Sequence, residues 1–169
     1  MQNKILLGIG VLLVIFGLFK PDLTIIKNLT PNTAPSSSVE SYVTDAPADQ
    51  ELLDCAKKII SILGASNDST KQKDCLKLSA LYSDMSLLIS LDKNDNIIPD
   101  TASIKEANSL SGKMLRLNIK DKYPGLAESA KELLIEAIGE DDVVLDSDSR
   151  NKAVDAFRAL SWAFYEGSK

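Results

Sequence analysis

The chain has 169 residues, 44% of them hydrophobic and 25% charged, with a net charge of −5. That balance fits a globular protein and excludes general disorder, while the acid excess excludes nucleic-acid binding by a broad basic patch and disfavours flat docking on anionic lipid. Histidine is absent and cysteine occurs only at Cys55 and Cys75, which excludes Ser-His-Asp and Cys-His catalysis, HExxH zinc chemistry and a four-ligand Cys/His zinc site.

In chain order, the first feature is "ILLGIGVLLVIFGLF", Ile5 to Phe19, free of charged residues and flanked by Lys4 and Lys20. It is shorter than the ~20 residues of an average span, but flanking lysines can snorkel to the headgroups. Nothing after it resembles an A-x-A cleavage site, and no cysteine follows for lipid attachment. Its apolar surface runs all round, unlike that of an amphipathic core helix. The run reads as an uncleaved signal anchor over residues 1–20, ahead of a cleaved leader or a core helix. Lys4 on one side and Lys20 and Lys27 on the other nearly balance the positive-inside rule. The short N-tail favours a cytoplasmic N-terminus, with the remainder on the periplasmic side.

Residues 21–48 read as an interfacial and flexible linker. Leu23, Ile25, Ile26 and Leu29 are apolar without clean periodicity, and Pro31, Pro35, Pro47 and the Ser36–Ser38 run follow.

Residues 49–166 read as an all-α domain, a compact bundle of five helices. Leu52, Leu53, Ala56, Ile59, Ile60 and Leu63 mark one face of the first helix, which Gly64 stops. Ser69 or Thr70 caps the second, with Leu78, Leu81, Tyr82, Met85, Leu88 and Ile89 inward. Ser103 and Glu106 form a capping box for the third, whose stripe is Ile104, Ala107, Leu110, Met114 and Leu117. Pro124 suits the first turn of the fourth, with Leu126, Ala130, Leu133, Leu134, Ala137 and Ile138 inward before Gly139. Asp146, Asp148 or Ser149 caps the fifth, which buries Val154, Phe157, Leu160 and Phe164.

Cys55 and Cys75 lie on two helices joined by a short turn, which predicts an antiparallel pair. The two cysteines admit either a disulfide, in an oxidising compartment, or two buried free thiols. Trp162 and Tyr165 fall off the main stripe of the last helix. They either cover a second core face or form a contact surface.

Two stretches look like ligand sites and fail on inspection. "DKNDNIIPDTAS", Asp92–Ser103, offers oxygen ligands at the first, third and fifth positions of an EF-hand loop. It has Ile97 where that loop needs glycine and Ser103 where it needs a bidentate glutamate. "GEDDVVLDSDSR", Gly139–Arg150, concentrates carboxylates, but acids at the start of a helix already suit its dipole. The murein-hydrolase spacing of Glu, then Asp, then Thr begins at Glu40 and Asp49 and then meets Cys55, so a paired-carboxylate glycosidase gains no support. The expectation is a protein without catalytic, cofactor-binding or metal site.

The stretch "KYPGLAESAKELLIEAIGEDDVVLDSDSRNKAVDAFRALSWAF", with "LSALYSDMSLLISLD" upstream, resembles small phage-encoded proteins that pair an N-terminal span with a helical domain. The resemblance covers Leu78 to Phe164 and brings no catalytic or ligand motif. It implies association with a host envelope or virion. The functional expectation is a membrane-anchored binding or structural module with a protein partner, concerned with assembly, DNA entry or the virion. A lysis component of spanin or holin-regulator type is the alternative, and a carboxylate enzyme ranks third. Nothing in the sequence sets the oligomeric state.

Overall fold

A computed structural model describes residues 42–90, 109–110, 112–114, 116–138 and 147–169. The only regular secondary structure among the described residues is helix, with no strand. The helices are α1 (Gln50–Gly64), α2 (Lys71–Ser90), α3 (Ile119–Lys122), α4 (Leu126–Ile138) and α5 (Ser147–Gly167). Residues 109–110 and 112–114 are also helical. They belong to the third expected helix, whose beginning at Ser103 and Glu106 lies outside the described residues. No described helix is long and apolar enough to cross a membrane. The apolar run Ile5–Phe19 also lies outside them.

Asp49 starts α1. Its backbone is extended, and its carboxylate accepts from the amides of Glu51 at 2.9 Å and Leu52 at 3.0 Å. That satisfies two of the donors a helix start leaves open. Leu52, Cys55, Ala56, Ile59 and Leu63 then turn inward. The helix ends where the Ala65 amide donates to the Ser61 carbonyl. Ahead of α2, the Asp68 carboxylate accepts from the Thr70 amide at 2.7 Å. This aspartate orders the turn that the sequence assigned to Ser69 or Thr70. Gly125, at φ +82°, supplies the left-handed residue between α3 and α4.

The arrangement of helices departs from the expected hairpin. α1 and α2 barely touch. Both pack on α5, which also contacts α4 and meets α2 most extensively. The last helix is thus the centre of the bundle. Its inward side is largely small: Ala153, Ala156, Ala159, Ser161, Ala163 and Gly167 are buried beside Phe157, Leu160 and Phe164. Small side chains let neighbouring backbones approach, and a bulky antiparallel α1–α2 interface is displaced. At the far end, a Cβ on Gly167 would collide with Leu63 Cδ1 and fall 3.1 Å from Leu63 Cβ. Glycine thus lets α5 lie close against the end of α1 without displacing Leu63.

α2 also buries more than its apolar stripe. Ser79, Ser83 and Ser86 are buried with Leu78, Leu81, Tyr82 and Met85. Ser86 donates to the Ser83 carbonyl at 2.7 Å on its own helix. Ser79 donates to the Ser161 carbonyl on α5 at 2.8 Å, and Ser161 donates to the Ser79 carbonyl at 2.8 Å. With its polar atoms satisfied this way, serine becomes a small core residue.

Tyr82 stacks between Phe157, at 6.0 Å, and Phe164, at 5.6 Å between ring centroids. Its hydroxyl is buried without a hydrogen-bond partner, and burial pushes its ionisation far upward. An unpaired buried hydroxyl costs stability that the ring stacking has to offset. Tyr82→Phe is therefore expected to raise stability by about 1 kcal/mol in urea denaturation. A loss of that size would show that the hydroxyl has a partner.

α1 and α4 meet through charges of both kinds. Lys58 Nζ lies 2.7 Å from Glu132 Oε1 on an exposed face. Nearby, a hydrogen bond with Glu136 raises the Glu51 carboxyl, helped by repulsion from Glu136 and Asp49. A carboxyl raised in the folded state stabilises the fold below its unfolded value, and that stabilisation is lost as pH rises through the folded value. Glu136→Gln is expected to return Glu51 towards its ordinary range and to flatten the fall in stability as pH rises above the ordinary glutamate value. Carboxyl titration by NMR checks this, and an unmoved Glu51 would contradict it.

Candidate functional site

The two aromatic candidates lie on the second half of α5, where the chain before α1 docks. Tyr42 stacks on Tyr165 with ring centroids 5.8 Å apart, and Lys169 Nζ sits 4.7 Å from the centre of the Tyr165 ring. One residue on, the Val43 amide donates to Ser161 Oγ at 3.2 Å. Trp162 is half-buried and packs against the core. The segment from Tyr42 to Asp49 is thus a strap attached to the bundle, and its own Tyr42 covers Tyr165. A cleft of about 250 Å³ remains under the strap, bordered by Asp45, Pro47, Asp49, Leu52, Asp155 and Arg158.

Cys55 and Cys75 are buried and unbonded. They occupy different surroundings. Cys55 lies near Lys58 on its own helix and Glu132 and Glu136 on α4, and burial raises its thiol. Cys75 lies near Lys71 and Asp74, and burial pushes its thiol up to about 11. The disulfide that the sequence left open beside two free thiols presumes a close antiparallel α1–α2 pair, and these two helices barely touch.

The most polar cluster in the interior surrounds Asp74, in the first turn of α2 and only 5% exposed. Its Oδ2 accepts from Lys122 Nζ at 2.6 Å, Thr70 Oγ1 at 3.0 Å and the Tyr123 hydroxyl at 3.3 Å. Lys122 also reaches Thr70 Oγ1 at 2.9 Å. Its hydrogen bond to Asp74 raises the Lys122 ammonium. Burial, and then the Asp74 charge, push the Tyr123 hydroxyl upward, so it stays a neutral donor at ordinary pH. Thr70 has one hydroxyl proton and also faces Asp68 Oδ1, so Lys122 and Tyr123 are the carboxylate's undivided donors. The cluster ties the end of α3 to the start of α2 through an ion pair whose carboxylate is buried and whose lysine is partly exposed.

A different site opens on the outer side of α2. A cleft of about 400 Å³ lies between α2 and residues 113–117, lined by Lys77, Ala80, Leu81, Asp84, Lys113, Arg116 and Leu117. Leu110 and Met114 are buried and hold this stretch against the core. The Leu117 amide donates to the Met114 carbonyl at 3.0 Å and closes its last turn. Asn118, at φ 50°, then redirects the chain into α3. Lys113 and Arg116 are left exposed on the outside, opposite Lys77. Lys57, Lys58, Lys122 and Lys169 each meet a carboxylate within 4.0 Å. Among the described residues, no such pair involves Lys77, Lys113 or Arg116. A cationic rim over an apolar floor is unusual on a chain of net charge −5.

Sequence reasoning did not single out these basic residues. The available signal was Lys113 and Arg116 three apart on a helix, facing outward from the Leu110–Met114 stripe. The EF-hand-like stretch and most of the acidic stretch lie outside the described residues. Among the described residues, no three Cys, Asp or Glu side chains are placed to hold a metal ion.

The chain matches no family model, no curated protein and no solved structure.

Burial and the high Cys75 value predict slow alkylation of both thiols in the folded protein at about pH 8, Cys75 the slower. Denaturation without reductant is expected to release two alkylatable thiols, counted by intact mass. A protein that takes up no label until reductant is added would instead contain a Cys55–Cys75 disulfide.

Proposed function

We propose that the chain is a membrane-anchored binding module: an acidic helical bundle, presented on the far side of a membrane for protein–protein contact at an envelope. The observation that carries this reading is the distance along the chain between two features. The apolar run ends at Phe19, and the described bundle begins with the strap at Tyr42. Read as a linker from its prolines and serines, the intervening stretch would let the bundle stand off by roughly 25 Å. The strap then fixes where that leash meets the bundle, on the second half of α5 beside Ser161 and Tyr165. The cationic cleft offers a surface for such contact, and the resemblance to phage-encoded proteins supports a role in assembly, DNA entry or the virion.

A spanin-like lysis role gains less support. Such proteins favour long coiled coils, and the longest described helix has 21 residues. Its small inward side chains suit a compact bundle rather than a heptad seam.

Alkaline carbonate extraction and protease accessibility in spheroplasts test anchor and side together. The full chain is expected to stay with the membrane and to be cut from outside. A chain lacking Ile5–Phe19 is expected to be released. A full chain that washes off would refute the tether, and a protected bundle would reverse the orientation.

A further inference from the structure

We propose that the cleft between α2 and residues 113–117 binds an acidic, leucine-bearing peptide segment of a partner protein. This deepens the binding-module reading by naming the surface and the chemistry it takes. The first support is charge. Among the described residues Lys77, Lys113 and Arg116 ring the cleft, with Asp84 as the acid beside them, while the chain as a whole carries −5. A local cationic rim on an acidic protein steers an acidic partner to one place, and the surrounding field repels it elsewhere.

The second support is apolar and independent of the first. Leu87 is 49% exposed, the one large hydrophobic side chain left open among the described residues. It lies seven residues after Ala80, hence on the same face of α2. The surface from Lys77 to Leu87 thus runs for about 15 Å along the helix, three turns. Cations occupy one end, Ala80 and Leu81 line the middle, and Leu87 stands at the other end. An amphipathic helix or short extended peptide matches such a surface, placing apolar side chains on the floor and carboxylates against the rim.

The shape argues against other anions. A lipid surface presents charge in a plane and cannot reach a recessed floor lined by Ala80, Leu81 and Leu117. A nucleic acid would need a longer run of cations than this cleft offers, on a chain whose net charge repels phosphate.

The test uses the full chain in mild detergent, so it does not depend on whether the chain spans a membrane. The probe is a fluorescein-labelled helical peptide of about 14 residues, with leucine at i, i+3, i+4 and i+7 and glutamate at exposed positions. Anisotropy is expected to show saturable binding that weakens as salt rises. Lys113→Glu with Arg116→Glu should weaken it roughly tenfold or more. Leu87→Ala should weaken it several-fold, and a peptide with lysine in place of glutamate should not bind. Lys131→Glu with Lys152→Glu makes the same change in net charge on α4 and α5 and should leave affinity unchanged. Circular dichroism checks that these surface variants fold. No saturable binding, or equal losses from the two charge reversals, would overturn the proposal. So would phosphatidylglycerol vesicles that bind through the same residues when the peptide does not. Oligomers dispersed by the Lys113 and Arg116 reversals would make the occupant a second copy of the chain, which also contradicts it.

Discussion

The exchange of hydroxyl and carbonyl between Ser79 and Ser161 fixes how closely α2 and α5 lie, and the rest of the bundle is arranged around that contact. Each hydroxyl donates to the other residue's carbonyl at 2.8 Å. Bonds this direct across two helices require small side chains on both, and α5 supplies them at Ala156, Ala159 and Ala163. Phe157 and Phe164 then close on Tyr82 from α5. A helix that gathers α1, α2 and α4 around itself explains why α1 and α2 form no hairpin core. The Ser161 hydroxyl also accepts from the Val43 amide. One side chain therefore joins the strap, α2 and α5.

That junction links architecture to the functional reading. Tension on the chain ahead of Tyr42 would act on the centre of the bundle rather than on the end of α1. The cleft rimmed by Lys77, Lys113 and Arg116 depends on the same packing. α2 is held by α5 on its inner side, and Leu110 and Met114 seat the second wall. The Asp74–Lys122–Tyr123 cluster fixes the chain that follows that wall, through α3. Its buried carboxylate is matched with donors, so its role is to hold the ends of helices together.

Helical periodicity made much of this fold legible. The stripes of α1 and α4, the end of α1 at Gly64 and the aromatic face of α5 follow from spacing alone. Three features did not. Ser79 and Ser86 look like solvent-facing residues until their hydroxyls are paired, Ser79 with Ser161 far along the chain and Ser86 with the Ser83 carbonyl one turn back. The strap reads as linker because anchors such as the Tyr42–Tyr165 stack and the Val43 amide bond leave no periodic trace. The central place of α5 is tertiary: short turns predict sequence neighbours as spatial neighbours, and small side chains on the last helix override that. The same override separates the surroundings of Cys55 and Cys75. Of the surface candidates, Trp162 packs on the core and Tyr165 lies under Tyr42, whereas the cationic cleft needs residues far apart in sequence to meet.

Native-state hydrogen exchange tests most directly whether α5 is the element on which the bundle depends. The amides of Phe157 to Phe164 are expected to exchange only through global unfolding, with the free energy found by denaturant titration. The Val43 amide should open at lower cost, since it donates to a side-chain oxygen, Ser161 Oγ, at 3.2 Å and lies outside the helices. The account is contradicted if α5 exchanges through a partial opening while α1 and α2 stay protected together, because those two helices would then form a core without it.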